Sequence, residues 1–253
     1  MNPWKIYDDL IGNIPVGITL SDCNTGYNWT SALSSEGGTG IAKTVPVYNI
    51  PFSFQGGLTG APLRQVAGLS KSWNFIEAAI GVAAIGAYYN LPARAQCVGA
   101  VHPGVCAENQ NVFALYREEV RGKRVTVVGH FPALEQKLGT ICDLTILERE
   151  PCQGDLPDTV CEYLLSEQDY VFITGCTLVN KTMPRLLELS GNAKTIIVGP
   201  STVLSSIMFE YGVYGLSGMI VRDAQRCDAV IRCGDPQALF DAGEMVNSVR
   251  PSG

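Results

Sequence analysis

The residues best suited to chemistry are a histidine and a glutamate that each follow a run of β-branched residues. His130 is one of two histidines in the chain and comes directly after VTVVG. An imidazole can exchange protons near neutral pH or bind a metal ion. Glu148 lies 19 residues after Gly129, where nucleotide-type α/β folds place an acid that accepts hydrogen bonds from ribose hydroxyls. We predict His130 and Glu148 as the catalytic residues; a structural histidine and a solvated glutamate are the alternatives.

Two loops, TGCTLVNKT and GPST, are rich in glycine and short polar side chains. Such side chains can hold the polar groups of a ligand, and they can equally cap the helices that follow. Thr182 fits a helix N-cap, and so do Ser201 and Thr202. The predicted ligand-binding residues are Glu36, Asp155, Thr174, Gly175, Thr177, Asn180, Gly199, Pro200, Ser201 and Thr202.

The segment GHFP at 129–132 stands where a dinucleotide-binding fold carries a glycine-rich loop. In that loop, glycines let backbone N–H groups approach a diphosphate at a helix N-terminus. Phe131 and Pro132 fill the space that two glycines would leave open. We therefore expect no dinucleotide to bind in the usual way, and the cofactor is unknown from the sequence.

The nine cysteines match no common metal-binding pattern. Their odd number, together with an N-terminus that lacks a secretory signal, predicts reduced thiols rather than a disulfide framework. No CxxC occurs, and neither the pair Cys227 and Cys233 nor the pair Cys97 and Cys106 has the spacing of a structural zinc site. We therefore assign no protein-bound metal. His102, four residues before Cys106, remains an alternative as a soft-metal ligand.

From residue 123 onward, short apolar segments alternate with helical patterns. Near-continuous apolar strands of this kind are typical of a parallel sheet with helices on both faces. Ligands of such sheets bind beyond the carboxyl ends of the strands, where the loops described above lie. The predicted strands are residues 124–129, 143–148, 169–175, 194–199, 217–221 and 228–234, with helices over 157–167, 182–191 and 202–212.

The first half of the chain places strands before helices, which is typical of an α+β domain. A chain of 253 residues favours two domains. The polar segment REEVRGK at 117–123 marks the change of pattern, so we predict domains at 1–118 and 119–253. The first domain is predicted to have helices over 4–11, 62–73 and 74–89, strands over 16–22 and 40–50, and the loop SSEGGTG between the strands.

Composition excludes several classes of partner. Hydrophobic residues make up 46% of the chain and charged residues 17%, which predicts a folded, soluble protein. A net charge of −6 without a cluster of Lys and Arg disfavours nucleic acid. The longest uncharged apolar run, residues 78–91, has 14 residues and is too short to cross a bilayer. We expect a small-molecule ligand and a cytoplasmic location, and a homo-oligomer stays open.

Four motifs occur in the order VVGHFP, LEREP with a following GD, TGCTLVNKT and GPST. Together they resemble the C-terminal domain of the putative heavy-metal chelation family, over roughly residues 120–235. SSEGGTGIA and EAAIGVAAIGAYYN resemble its N-terminal partner domain. The resemblance implies an enolase N-terminal-like α+β domain followed by a Rossmann-like α/β domain, with a site in the cleft between them. It also implies condensation or hydrolysis of small molecules on the way to metal-binding pterin, flavin or siderophore derivatives, and a partial similarity to methyltransferases.

Three functional hypotheses follow. The first is an enzyme that acts on a small polar, heterocyclic or carboxylated metabolite, with His130 as general acid or base and Glu148 orienting or deprotonating the substrate. The second is a non-catalytic protein that binds a heavy metal or a metal chelate through the same residues and a cysteine. The third is an S-adenosylmethionine-dependent methyltransferase-like protein, although GHFP departs from the methyltransferase pattern.

We predict that the site lies in one pocket. The carboxyl ends of parallel strands share one edge of a sheet, so Thr177, Asn180 and Ser201 should converge on the catalytic pair. The N-terminal domain must cover this pocket to exclude water. Its loop SSEGGTG is predicted to place Glu36 across the opening.

Overall fold

The computed structural model describes residues 2–46, 50–99, 111–152 and 154–251. The predicted alternative at His102 and Cys106 lies outside these ranges. Within them, the strands form an antiparallel sheet of three strands and a mostly parallel sheet of seven. All strands of the small sheet precede residues 117–123, and all strands of the large sheet follow them. The predicted fold class, a small α+β part followed by a Rossmann-like sheet, is confirmed, while the domain boundary stays a prediction.

The first part of the chain is a three-stranded sheet covered by helices. Its sheet has the order β1-β2-β3. Strand β2 was not predicted because three of its polar residues, Thr30, Ser31 and Ser34, are buried and hide any alternation of apolar and polar positions. The elements are α1 (Lys5–Gly12), β1 (Leu20–Thr25), β2 (Trp29–Ser34), β3 (Thr39–Lys43), α2 (Leu63–Ala67), a 3₁₀ helix (Gly68–Lys71), α3 (Phe75–Tyr89) and α4 (Pro92–Cys97).

Helix α3 is buried on almost every side, which explains its lack of charged residues after the first turn. Its N-cap Asn74 accepts hydrogen bonds from the backbone N–H groups of Ile76 and Glu77. A Cβ atom at Gly81 would lie 1.9 Å from the backbone nitrogen of Ser70. The glycine therefore allows the 3₁₀ helix Gly68–Lys71 to approach α3 closely.

The second part contains a sheet with the order β6-β5-β4-β7-β8-β9-β10. All neighbours pair in parallel except β9 and β10. The first six strands follow the doubly wound order of dinucleotide-binding folds, whose switch point lies between β4 and β7. The strands are β4 (Arg124–Val128), β5 (Asp143–Glu148), β6 (Leu156–Pro157), β7 (Tyr170–Thr174), β8 (Lys194–Val198), β9 (Val213–Val221) and β10 (Gly243–Val249).

Short helices connect these strands. The α-helices are α5 (Val112–Leu115), α6 (Leu134–Leu138), α7 (Cys161–Leu164), α8 (Met183–Leu189), α9 (Ile207–Glu210) and α10 (Ala224–Cys233), and the 3₁₀ helices are Asp158–Val160, Leu165–Glu167, Gly175–Leu178 and Ala238–Ala242. In the described part of the chain, no helix combines the length and apolar character needed to span a bilayer.

Two predicted elements were wrong. Of residues 228–234, predicted as a strand, 228–233 belong to α10, because Cys227, Val230 and Ile231 share one buried helix face. Gly234 caps the helix in the left-handed region. The helix predicted over 202–212 is reduced to α9. The GPST loop therefore precedes no helix directly, and the proposed capping by Ser201 or Thr202 does not occur.

The N-terminal part of the chain, which contains the small sheet, packs against the loops that follow β7 and β8. The Tyr7 hydroxyl donates to the carbonyl of Leu178 at 2.8 Å. Buried Asn90, at the end of α3, donates to the carbonyls of Thr202 and Met219 and accepts from the N–H of Leu204. One continuous apolar core joins both parts behind these contacts. The carboxyl edge of the large sheet is thus covered from the N-terminal side.

Candidate functional site

His130 and Asp155 form a hydrogen-bonded pair at the carboxyl edge of the large sheet. Nδ1 of His130 lies 3.0 Å from Oδ2 and 3.1 Å from Oδ1 of Asp155. The Asp155 side chain has no solvent exposure, whereas the imidazole is 28% exposed. Asp155 Oδ2 also accepts the backbone N–H of Cys152 at 2.9 Å. The buried carboxylate therefore fixes the ring and favours a hydrogen on Nδ1, which leaves Nε2 to exchange a proton.

Glu148, at the end of β5, holds the loop that carries His130. Its Oε2 accepts the backbone N–H of His130 at 2.9 Å, and its Oε1 accepts that of Arg149 at 2.6 Å. The carboxylate also lines the cavities at this edge. Glu148 thus lies beside the histidine as predicted, but it contacts the main chain of His130, and the imidazole contacts Asp155.

A wall formed by Gly129, Glu148, Thr174 and Cys176 separates two adjoining cavities. The larger, of about 300 Å³, is the cleft between the small sheet and the strand ends. The smaller measures about 90 Å³. The predicted residues that line only the larger cavity are His130, Gly199, Pro200 and Ser201. Those that line only the smaller cavity are Thr177 and Asn180. The sequence predicted one pocket for all of these residues, whereas the structure distributes them between two cavities.

Four predicted residues line neither cavity. Glu36 points elsewhere and forms an ion pair with Arg94, with Oε2 2.6 Å from Nη2. Gly175 packs so tightly on the next loop that a Cβ atom there would lie 2.6 Å from the nitrogen of Thr202. Thr202 is itself buried, and Asp155 stands behind His130. Gly175, Thr202 and Asp155 therefore support the site from behind, whereas Glu36 faces away from it.

Two residues of the small sheet that the sequence did not identify line the larger cavity, Trp29 of β2 and Lys43 of β3. They are register partners. The Lys43 ammonium lies 5.3 Å from the Trp29 ring centroid and donates to Oδ1 of Asn28 at 3.1 Å. The Lys43 backbone N–H donates to Oγ of Ser201 at 2.9 Å. No sequence motif marks this lysine, because only the packing of the two sheets brings it to the cleft.

Two ionisable groups in the wall of the cleft have shifted pKa values. Burial raises the pKa of the Cys176 thiol, although the hydrogen bond from Thr174 opposes this shift. Burial lowers the pKa of the Lys43 ammonium, and the neighbouring Cys176 opposes that shift. The cleft therefore disfavours unpaired charge on either group.

The Phe131 ring lies where the sequence predicted that it would block a diphosphate. Gly129 and Gly199 directly follow β4 and β8, and both have φ of +107°. A Cβ atom at Gly129 would lie 3.6 Å from one edge of the Phe131 ring, and one at Gly199 would lie 3.8 Å from another. The ring therefore lies across the ends of the central strands.

Three potential metal ligands also meet beside the cleft. A ring nitrogen of His130, the thiol sulfur of Cys152 and a carboxylate oxygen of Asp155 all lie within 4.8 Å of one another. A nitrogen, a thiolate and a carboxylate together suit a borderline-soft ion such as Zn²⁺. The spacing of the cysteines did not reveal this cluster, because only one of its three ligands is a cysteine. The histidine also follows a different strand from the other two residues.

Comparison with known families decides which family this chain belongs to. A family model, DUF364, described as putative heavy-metal chelation, matches residues 111–249. The chain belongs to the DUF364 family. A second model with the same description, DUF4213, matches residues 7–89. The predicted family membership is confirmed.

Two solved structures of DUF364 proteins resemble this one over nearly their whole lengths. A protein with unknown function from Desulfitobacterium hafniense has 40% sequence identity and a TM-score of 0.89, with 98% of each chain covered. A second, from Pyrococcus horikoshii, has 21% identity and a TM-score of 0.79, covering 99% of this chain and 100% of its own, and shows the fold alone. An uncharacterised protein of Methanocaldococcus jannaschii is 27% identical over 189 residues, 70% of this chain and 68% of its own.

Proposed function

We propose that this DUF364 protein is an acid–base enzyme that acts on a small polar metabolite in the larger cavity. The observation that carries the proposal is the pairing of the partly exposed His130 imidazole with the fully buried Asp155 carboxylate. A histidine oriented in this way is suited to accept or donate a proton during a reaction. Burial of the carboxylate leaves the imidazole as the member of the pair that can meet a substrate.

The remaining groups of the cleft are suited to hold the substrate. Glu148 accepts two backbone N–H groups and retains lone pairs for a hydroxyl or amine donor. Gly199 and Ser201 provide a neutral wall from the loop after β8. The family description of heavy-metal chelation supports, as the finer proposal, condensation or hydrolysis of precursors of metal-chelating metabolites of the pterin, flavin or siderophore type.

The test is a search for turnover in the full chain. Pterins, flavins and carboxylated heterocycles are incubated with the protein, and their consumption is followed by mass spectrometry. We expect one class to be consumed, with a loss of about 10²-fold or more in rate for His130→Ala, as is typical when a general acid or base is removed. Glu118→Gln, which changes an exposed ion pair with Arg121, is the control and should keep the rate. Unchanged turnover in folded His130→Ala would reject the proposal.

A second candidate function is the binding of a heavy-metal ion, and the proximity of Cys152 to His130 and Asp155 favours it. Three protein ligands leave a coordination position for a bound metabolite or water. The role is non-catalytic, because the ion would take the ring nitrogen or the carboxylate that the acid–base pair needs.

Titration with Cd²⁺, followed through thiolate-to-metal absorption and calorimetry, separates the two candidates. A metal site predicts one tight equivalent that Cys152→Ser and His130→Ala both lose. Cys233→Ser is the matched control, because Cys233 is an exposed free thiol outside the cluster. Equal binding by Cys152→Ser and the wild type would eliminate this candidate.

A further inference from the structure

The larger cavity contains a cation that the proposed acid–base pair does not use. Lys43 reaches the cleft from the end of β3, on the side contributed by the small sheet. In the part of the chain that the structure describes, no carboxylate forms an ion pair with its ammonium, whose hydrogen-bond partner is the neutral amide of Asn28. A partly buried ammonium without a countercharge is costly, and burial accordingly lowers its pKa.

A second donor at the same corner lacks a partner. The indole Nε1–H of Trp29 is buried, and it has no hydrogen-bond acceptor among the described residues. The Lys43 ammonium lies over this same indole. Buried polar groups are nearly always satisfied by protein, water or ligand. The corner therefore combines a cation that lacks a countercharge with a buried N–H that lacks an acceptor among the described residues.

The negative charge in the cleft is already stabilised by hydrogen bonds from the main chain. Among the described residues that line this cavity, Glu148 is the one carboxylate, and two backbone N–H groups bind its oxygens. The ammonium of Lys43 is held by a strand whose backbone is tied to Ser201, so its place in the cleft is defined. An anion that enters the cleft would meet a fixed cation with little competition from the protein.

The apolar part of the lining defines the rest of the ligand. Trp29, Phe131 and Phe240 present aromatic rings to the cavity, and Pro132, Pro200 and Pro236 add flat, rigid surfaces. Aromatic rings and prolines of this kind bind planar ring systems well. Thus the cavity combines one cation with walls suited to a planar body.

We propose that the larger cavity binds a planar aromatic anion whose carboxylate is held by Lys43, beside the Trp29 ring. This inference rests on the proposed function only in that both use the same cleft. Lys43 is then the residue that selects an anionic substrate, while His130 carries out the proton transfer.

Binding of matched probes to the full chain tests whether Lys43 binds the carboxylate, and the test needs no turnover. The probes are 2-naphthoate and 2-naphthamide, which share a planar body and differ in charge, and affinities are measured by ligand-observed NMR. The wild type should bind the carboxylate at least about tenfold more tightly than the amide, the equivalent of about 1.4 kcal/mol. Lys43→Met should reduce this ratio to about one, and Lys43→Arg should keep it.

Lys181→Met is the matched control, because Lys181 is another partly buried lysine over an aromatic ring, that of Phe75, and does not line the cleft. It should leave the ratio unchanged. The proposed role of Lys43 is rejected if the wild type binds neither probe or does not prefer the carboxylate. It is also rejected if folded Lys43→Met keeps the preference. Failure of the acid–base proposal would appear separately, as turnover that survives His130→Ala.

Discussion

Oδ2 of Asp155 lies 3.0 Å from Nδ1 of His130, and the carboxylate that makes this contact is closed off from solvent. Because the same oxygen accepts the N–H of Cys152, the carboxylate is held in place on two sides. The imidazole is therefore oriented by the fold before any ligand arrives.

Asp155→Asn should slow the acylation of His130 by diethyl pyrocarbonate several-fold. The carboxylate keeps the hydrogen on Nδ1 and leaves the Nε2 lone pair free to react, whereas an amide can stabilise either tautomer. Peptide mass spectrometry reads the two histidines of the chain separately, so the rate at His102 is the internal control. An unchanged rate at His130 would show that the pair does not set the tautomer.

The Phe131 ring should prevent ordinary dinucleotide binding. It lies across Gly129 and Gly199, where a diphosphate would approach the backbone of a dinucleotide-binding fold. We expect calorimetry to detect no saturable binding of NAD to the wild type. Saturable binding at micromolar concentrations would contradict this interpretation of the GHFP loop.

Asn90→Leu should lower the free energy of unfolding by about 3 kcal/mol, because it leaves one buried N–H and two carbonyls without the amide that now binds them. Urea unfolding measures the loss. Asn13→Leu, which removes one exposed bond to Asp9, is the control and should change stability by less than about 1 kcal/mol. Equal effects of the two substitutions would show that Asn90 does not clamp the parts together.

Lys181→Met should stabilise the protein most at pH 7, and the gain should shrink as the pH rises. Burial lowers the pKa of Lys181 from 10.5 to about 8. Between these values the unfolded chain binds more protons at this residue, so the free energy of unfolding of the wild type rises with pH relative to the variant. Urea titrations at pH 7 and pH 10 should show the difference between the two proteins change by about 1 kcal/mol, after allowance for solvent screening. A pH-independent difference would contradict the shift.

The sequence by itself was enough to predict strands β4, β5, β7 and β8 of the large sheet to within one or two residues, the long helix α3, and the family. Each of these depends on local information. Continuous apolar runs fix buried strands, and uncharged residues on every side of a helix fix its burial. Where the local pattern was ambiguous, the prediction failed. The apolar residues of α10 occupy a stretch short enough to resemble a strand, and the buried polar residues of β2 resemble a loop.

The site shows a similar division. Placement at strand ends was enough to predict that His130, Glu148 and the GPST loop lie at one edge, because parallel strands align their carboxyl ends there. Only the tertiary structure paired the imidazole with Asp155, turned Glu36 toward Arg94 and brought Lys43 into the cleft. These contacts join residues of different loops or of different sheets. Their geometry depends on how the small sheet packs on the large one, and no local spacing encodes that packing.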